Sequence, residues 1–211
     1  MPKLIGLRDE AQLVLVGGAI CTGKDTAAGK AVEILGQRNH SASLVSMAEC
    51  VRIAGGLSED DPIEMYHAVF KGKENDPWLA RAISKAYEIE EGTIPVVSGL
   101  MRKCDAEYFN TTFPNSYFIS LIADENTLVE RIVGSNRQMD FPPGTPEEQK
   151  PEIARQLLRD EERVHGIMAM LGYVAKEIPR ARTYLIDTSR QKGTAELELK
   201  VGIALRHFSL V

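Results

Sequence analysis

The chain has little cysteine: three residues, Cys21, Cys50 and Cys104, in a total of 211. An odd number at wide spacing excludes a disulfide framework and a zinc knuckle. No apolar run approaches the ~20 residues that a membrane-spanning helix needs. Met1-Pro2-Lys3 opens no secretion signal, so cytosol is the expected compartment, with no membrane partner. Basic charge is not in excess either. Lys and Arg number 25 against 30 Asp and Glu, a formal net charge of −5. That balance opposes a nucleic-acid partner, because phosphate backbones attract basic surfaces. Internal repeats and low-complexity segments are also missing. What remains is an ordinary globular composition, 44% apolar and 26% charged, in a chain long enough for one α/β domain with a substantial core.

What is present is concentrated in one stretch. Leu13-Val14-Leu15-Val16 is an apolar run closed by Gly17-Gly18, the pattern of a buried parallel strand. A helix-compatible segment, 26–37, follows. Between them Gly18 to Lys24 spells G-x-x-x-x-G-K, in the strand, loop and helix setting that a phosphate-binding loop requires. Glycines let the backbone curl until its N–H groups point inward. The helix N-terminus adds partial positive charge, and the lysine reaches the terminal phosphates. The position after the lysine, where a Ser or Thr hydroxyl normally meets magnesium, holds Asp25, with Thr26 next. The loop nominates Gly18, Ala19, Thr22, Gly23, Lys24, Asp25 and Thr26 as nucleotide contacts, with Ile20 and Cys21 as spacers.

Along the chain, strand and helix alternate. Strands are expected at 12–16, 42–46, 94–98, 117–123 and 184–187, and core helices at 26–35, 48–54, 102–113, 125–134 and 195–208. Such alternation means a parallel, doubly wound sheet whose ligand sits at the carboxyl ends of its strands. Two insertions interrupt the rhythm. The first, 58–91, carries helices begun by Asp61-Pro62 and Asp76-Pro77, the second of them reaching about residue 91. The second, from Ser135, leads into a long helix. Thr145-Pro146-Glu147-Glu148 reads as its capping box, while Pro151 either kinks that helix or marks its true start.

Four patches resemble the nucleoside-monophosphate-kinase group of phosphate-loop kinases, in particular phage deoxynucleoside-monophosphate kinases and archaeal-type dephospho-coenzyme-A kinases. They are Gly23-Lys24-Asp25-Thr26, the acid-x-x-base turn Glu49-Cys50-Val51-Arg52, the segment 96–102 with Asp105, Glu107 and Phe109, and the arginine-bearing stretch 131–140. The resemblance implies a three-layer α/β/α phosphate-loop (P-loop) NTPase fold with a five-stranded parallel sheet, a helical acceptor-side insertion and an arginine-bearing lid. It also implies that Thr188 to Gln191 line the adenine pocket. The chain departs from the group at Ser98, where a strand-end aspartate is usual, and by one extra residue before Arg102.

The candidate residues follow. Lys24 offsets charge developing between the β- and γ-phosphates. Asp25 is the nearest acid able to hold magnesium, or else it caps its helix. Glu49 and Arg52, three apart, share a helix face; they meet the acceptor, Glu49 as base or sugar anchor, or they form an exposed ion pair. Arg102 opens a helix, against the dipole, which points to an anion beside it. Arg131 and Arg137 flank the lid and neutralise the transferring group when it closes. Arg155, Arg159 and Arg163 recur every four residues opposite the stripe Ile153, Leu157, Val164, Met168, Leu171; at least one is simply solvated, and Arg159 is the preferred lid contact. Tyr66, Phe70, Trp78 and Tyr87 are more often core, with Tyr66 and Trp78 kept as candidates for stacking on an acceptor base. His40, His67, His165 and His207 have no mutual spacing that fits a metal.

The expectation is one kinase domain, 1–211, with core 11–57, 92–134 and 180–211, insertion 58–91, and lid with long helix 135–179. It would move the γ-phosphate of magnesium-bound ATP to a small phosphorylated acceptor, foremost a nucleoside monophosphate, as monomer or homodimer. Two alternatives stand. One is a dephospho-coenzyme-A-type kinase with Glu49 taking a hydroxyl proton; the other is a regulatory nucleotide-binding protein with little turnover.

Overall fold

A computed structural model describes residues 4–5, 11–58, 63–73, 75–86, 89–90, 92–135, 141–142, 144–191 and 193–211. Of the expected candidates, Arg137 and Tyr87 lie outside these residues, as does the side chain of Tyr66.

The apolar run begins β2, Leu13–Gly18, and all four of its apolar side chains are fully buried. Strand alternation divides them between two layers. Leu13 and Leu15 pack with Val45, Val97 and Phe118 under one set of helices. Val14 and Val16 pack with Ala27, Ala31 and Leu197 on the other face. Each such burial contributes about 2 kcal/mol relative to exposure. A strand apolar on both faces belongs in the middle of a parallel sheet, and β2 is central. The five-stranded order is β3-β5-β2-β6-β7, with β3 at Ala42–Ser46, β5 at Ile94–Leu100, β6 at Ser116–Ile122 and β7 at Thr183–Asp187. All neighbouring pairs are parallel.

Helices α1 (Lys24–Gln37) and α9 (Thr194–His207) cover the face of Val14 and Val16. The opposite face carries α2 (Met47–Gly55), α4 (Trp78–Ala86), α5 (Lys103–Thr112) and α8 (Ile167–Glu177). Helix α3 (Ile63–Phe70) stands beside α2 and α4 in the first insertion. Helices α6 (Glu125–Gly134) and α7 (Lys150–His165) stand beside the loop after β2. The result is a three-layer α/β/α P-loop fold. Among the described residues no helix is long and apolar enough to cross a membrane.

Three local expectations are corrected. The second insertion helix ends at Ala86, and Ile89–Glu90 (β4) pairs antiparallel with Leu4–Ile5 (β1). The capping box does not form. Thr145 donates its hydroxyl to the Pro142 carbonyl at 2.6 Å, and a short 3-10 turn, Glu147–Gln149, precedes α7. Pro151 falls in the first turn of α7, the place where a missing N–H costs nothing. The long helix also breaks at Gly166, whose φ of 63° ends α7 and starts α8. Met168 leaves the apolar stripe there and is 68% exposed.

Candidate active site

The loop after β2 is held from outside by its own carbonyls. Arg131 on α6 donates to the Cys21 carbonyl at 3.2 Å, to the Thr188 hydroxyl at 3.1 Å and to the Thr188 carbonyl at 2.5 Å. The Thr188 hydroxyl in turn lies 3.2 Å from the Thr22 carbonyl and 3.0 Å from that of Ile122. Thr22 is buried and donates its hydroxyl to Ala19 at 2.8 Å. Ile20 packs against Val129, Ile132 and Ala154. Gly18 has no room for a side chain: a Cβ would stand 2.5 Å from the Leu121 carbonyl oxygen. With these carbonyls turned outward, the first amides of α1, at Lys24, Asp25 and Thr26, lack intrahelical acceptors and make an anion site. Lys24, its side chain 13% exposed, lies 3.9 Å from the Asp25 carboxylate. Arg131 thus connects the expected adenine-side residue Thr188 to the loop, instead of swinging with a lid.

Asp25 is not alone. The Ser98 hydroxyl, buried at the end of β5, donates to Asp25 Oδ1. A register shift between Val16 and Gly17 matches Val16 to Ser98 but Gly17 to Leu100, so Gly99 is a bulge. That bulge absorbs the extra residue noted before Arg102, and bulges beside functional sites re-aim side chains. The general phosphate-loop motif has a hydroxyl after the lysine. Here that position carries a carboxylate, Asp25, and a hydroxyl from the neighbouring strand, Ser98, meets it.

On the acceptor side, Ser46 caps α2 by accepting the Glu49 N–H at 3.2 Å. Ser46 is in register with Ser98, so α2, with Glu49 in its first turn, starts from the same carboxyl edge of the sheet as the Asp25–Ser98 pair. Arg52 grips Glu49 through both Nε, at 2.6 Å, and Nη2, and donates to the Leu57 carbonyl at 3.2 Å. The guanidinium holds the Glu49 carboxyl below the usual carboxylate range.

Arg102 has a structural arrangement. It is 3% exposed, binds Asp105 through Nε at 2.7 Å and Nη2 at 2.9 Å, and caps the carbonyls of Lys73 at 3.0 Å and Asp76 at 2.8 Å. Its guanidinium also lies over the Phe70 ring at 4.9 Å. Four of its five N–H groups are therefore engaged, and the anion beside this helix start is Asp105 of its own helix, not an acceptor. Replacing Arg102 with alanine strips a buried carboxylate of its counter-charge, which should cost about 3–5 kcal/mol in a urea unfolding curve. A change below 1 kcal/mol, on the order of a surface pair, would return Arg102 to the acceptor.

Trp78 packs into the core beside Phe70 at 5.7 Å, with the Lys73 ammonium 4.6 Å over its ring. That packing corrects its expected stacking role. Arg159 is 62% exposed and approaches Glu152 at 3.7 Å. Glu162, one turn along the same helix, accepts the Met168 N–H at 3.1 Å across the Gly166 break. Arg159 is therefore on the solvated face in this structure.

The histidines hold the largest omission. His67 of α3 meets Glu161 and His165 of α7, with His67 Nε2 at 3.0 Å from Glu161 Oε1 and His165 Nε2 at 3.8 Å from Oε2. Burial pushes the His165 imidazole down to about 4. Burial also opposes ionisation of Glu161, but the His67 hydrogen bond and the charges of the histidines and Lys24 outweigh it, and its carboxyl is lowered. Only the i,i+4 pair Glu161 and His165 was visible in the sequence; His67 is 98 residues from His165.

The loop, Lys24 at the start of α1 and the central parallel strand together make a P-loop fold. No protein-family model and no curated protein matches the chain. Solved structures do. The shikimate kinase of Acinetobacter baumannii, in complex with shikimate, superposes with TM-score 0.55 at 14% identity, covering 95% of each chain. The shikimate kinase of Bacteroides thetaiotaomicron gives 0.51 at 11%, covering 94% of this chain and 98% of its own. A sugar kinase from a Janibacter species gives 0.50 at 11%, covering 95% and 96%. These likenesses are of fold.

Proposed function

We propose that the chain is an ATP-dependent phosphotransferase. The observation that carries this is the loop itself: amides and Lys24 gathered at the N-terminus of α1, on the central strand of a parallel sheet. Asp25 and Ser98 fit magnesium, because a carboxylate and a hydroxyl are hard oxygen donors and this ion takes few protein ligands. When bound, magnesium supplies charge neutralisation on the β- and γ-phosphate oxygens. The chain's own residues do the rest. Lys24 holds the transferring group against the helix N-terminus, and Arg131 and Thr188 fix the loop and the adenine side. Arg159 would have to move in on closure to contribute.

For the acceptor, the engagement of Arg102 weighs against the expected pair of phosphate-holding arginines. Glu49, oriented by Arg52, is the carboxylate that would take the proton of a hydroxyl acceptor, and the guanidinium that lowers its pKa would have to loosen for it to act as a base. The fold neighbours named for sugars and shikimate support that direction. A nucleoside monophosphate, bound through Arg52, is the second reading, supported by the resemblance of 49–52 to that group. ADP release measured with polyols, shikimate, dephospho-coenzyme A, nucleoside monophosphates and no acceptor tests both. Glu49→Gln should cost on the order of 100-fold with a hydroxyl acceptor and little with a phosphate acceptor. Nucleotide binding without turnover under every acceptor would replace the kinase with a regulatory protein.

A further inference from the structure

We propose that His67, Glu161 and His165 form a site for a divalent transition ion of the zinc class, joining the first insertion to the lid-side helix. The site would lie apart from the magnesium position and take a different kind of metal. One donor atom from each residue lies within 4.8 Å of the others. A tetrahedral zinc site, with bonds of about 2.0–2.1 Å, sets its donors about 3.3 Å apart. His67 Nε2 lies 3.0 Å from Glu161 Oε1 and His165 Nε2 lies 3.8 Å from Oε2, so the two rings address the two oxygens of one carboxylate and a small shift would bring three donors onto one ion. Glu161 and His165 stand one turn apart on α7 and project from the same face, so a single helix supplies two donors already aligned.

A second observation points the same way. The His165 side chain is 3% exposed, and its Nδ1 is buried with no hydrogen-bond partner. Buried polar atoms are nearly always satisfied, so the His165 ring has unused bonding capacity at Nδ1, besides the Nε2 that faces Glu161. The ring is also fixed edge-on to Phe70 at 4.8 Å and to His67 at 5.6 Å, which limits the orientations it has to lose on binding. Two imidazoles and one carboxylate select zinc and its neighbours over magnesium, which prefers an all-oxygen octahedron. Three protein donors leave a position for water or a substrate oxygen. Bound there, the ion would tie α3 to α7 and restrict their separation.

The test uses the full chain, stripped with a chelator and held in excess magnesium. Zinc is titrated against a chromophoric chelator, and cobalt absorption reports coordination. One equivalent should bind, raising the melting temperature by about 6 °C at a hundredfold excess over Kd. His67→Gln, at the less buried member, and Glu161→Gln should each weaken binding on the order of 100-fold. A variant with all three cysteines changed to serine should keep it. Absence of saturable binding overturns the site. So does binding unchanged in a folded His67→Gln protein, or binding lost with the cysteines. Because binding is read without turnover, the outcome is independent of the phosphotransfer assignment.

Discussion

Lys24→Ala should lower acceptor-dependent ADP release on the order of 1,000-fold. The ammonium stands at the N-terminus of α1 with its side chain 13% exposed, and the Asp25 carboxylate lies 3.9 Å away. Phosphoryl transfer gives the protein little covalent work, so rate comes from positioning and from charge placed where charge develops. A lysine is a compact point charge on a flexible stem, and a planar arginine does not reproduce it. Lys24→Arg should therefore be impaired as well. The fold should survive both changes, since Lys24 supports no buried pair. Normal turnover in Lys24→Ala, with circular dichroism unchanged, would remove the loop from the mechanism.

Removing the Asp25 carboxylate should give the second largest effect. Asp25→Ala should abolish the magnesium dependence of turnover and reduce the rate on the order of 100-fold or more. Ser98→Asp alone should also be poor, because it sets two carboxylates where a hydroxyl now donates to Asp25. The double variant, Asp25→Ser with Ser98→Asp, restores one hydroxyl and one carboxylate and should recover much of the loss. Groups that share one ion or one hydrogen bond are non-additive, with couplings of about 0.5–3 kcal/mol. The competing account, in which Asp25 only caps α1, predicts otherwise. A helix-terminal acid contributes about 0.3–1 kcal/mol to stability. On that account Asp25→Asn lowers the melting temperature slightly and leaves the magnesium titration unchanged.

Both predictions rest on the part of the chain that could be read in advance. Four consecutive apolar residues, two glycines and G-K at the right distance specify a buried strand, a turn and a helix start by local physics alone. Strand alternation in Leu13 to Val16 then places helices on both faces. The rest depended on contacts between residues far apart. Arg102 stood against its helix dipole, a true signal of a nearby anion, but the anion was Asp105 on the same helix. The stripe running through Val164 and Met168 has the period of a single helix, and only the left-handed backbone at Gly166 divides it. Ser98 was noticed as a departure; that its hydroxyl reaches Asp25 depends on a bulge that only strand register reveals. His67 and His165 meet because α3 and α7 pack together, and no spacing rule connects residues 98 positions apart.

The central claim is that the loop from Gly18 to Thr26 grips the anionic tail of ATP. Calorimetric titration of the metal-replete protein with ATP and with adenosine tests it most directly. If main-chain amides and Lys24 supply the affinity, ATP binds at least about 100-fold more tightly than adenosine, a difference near 2.7 kcal/mol. Equal affinity for the two, or no affinity for ATP, would contradict it.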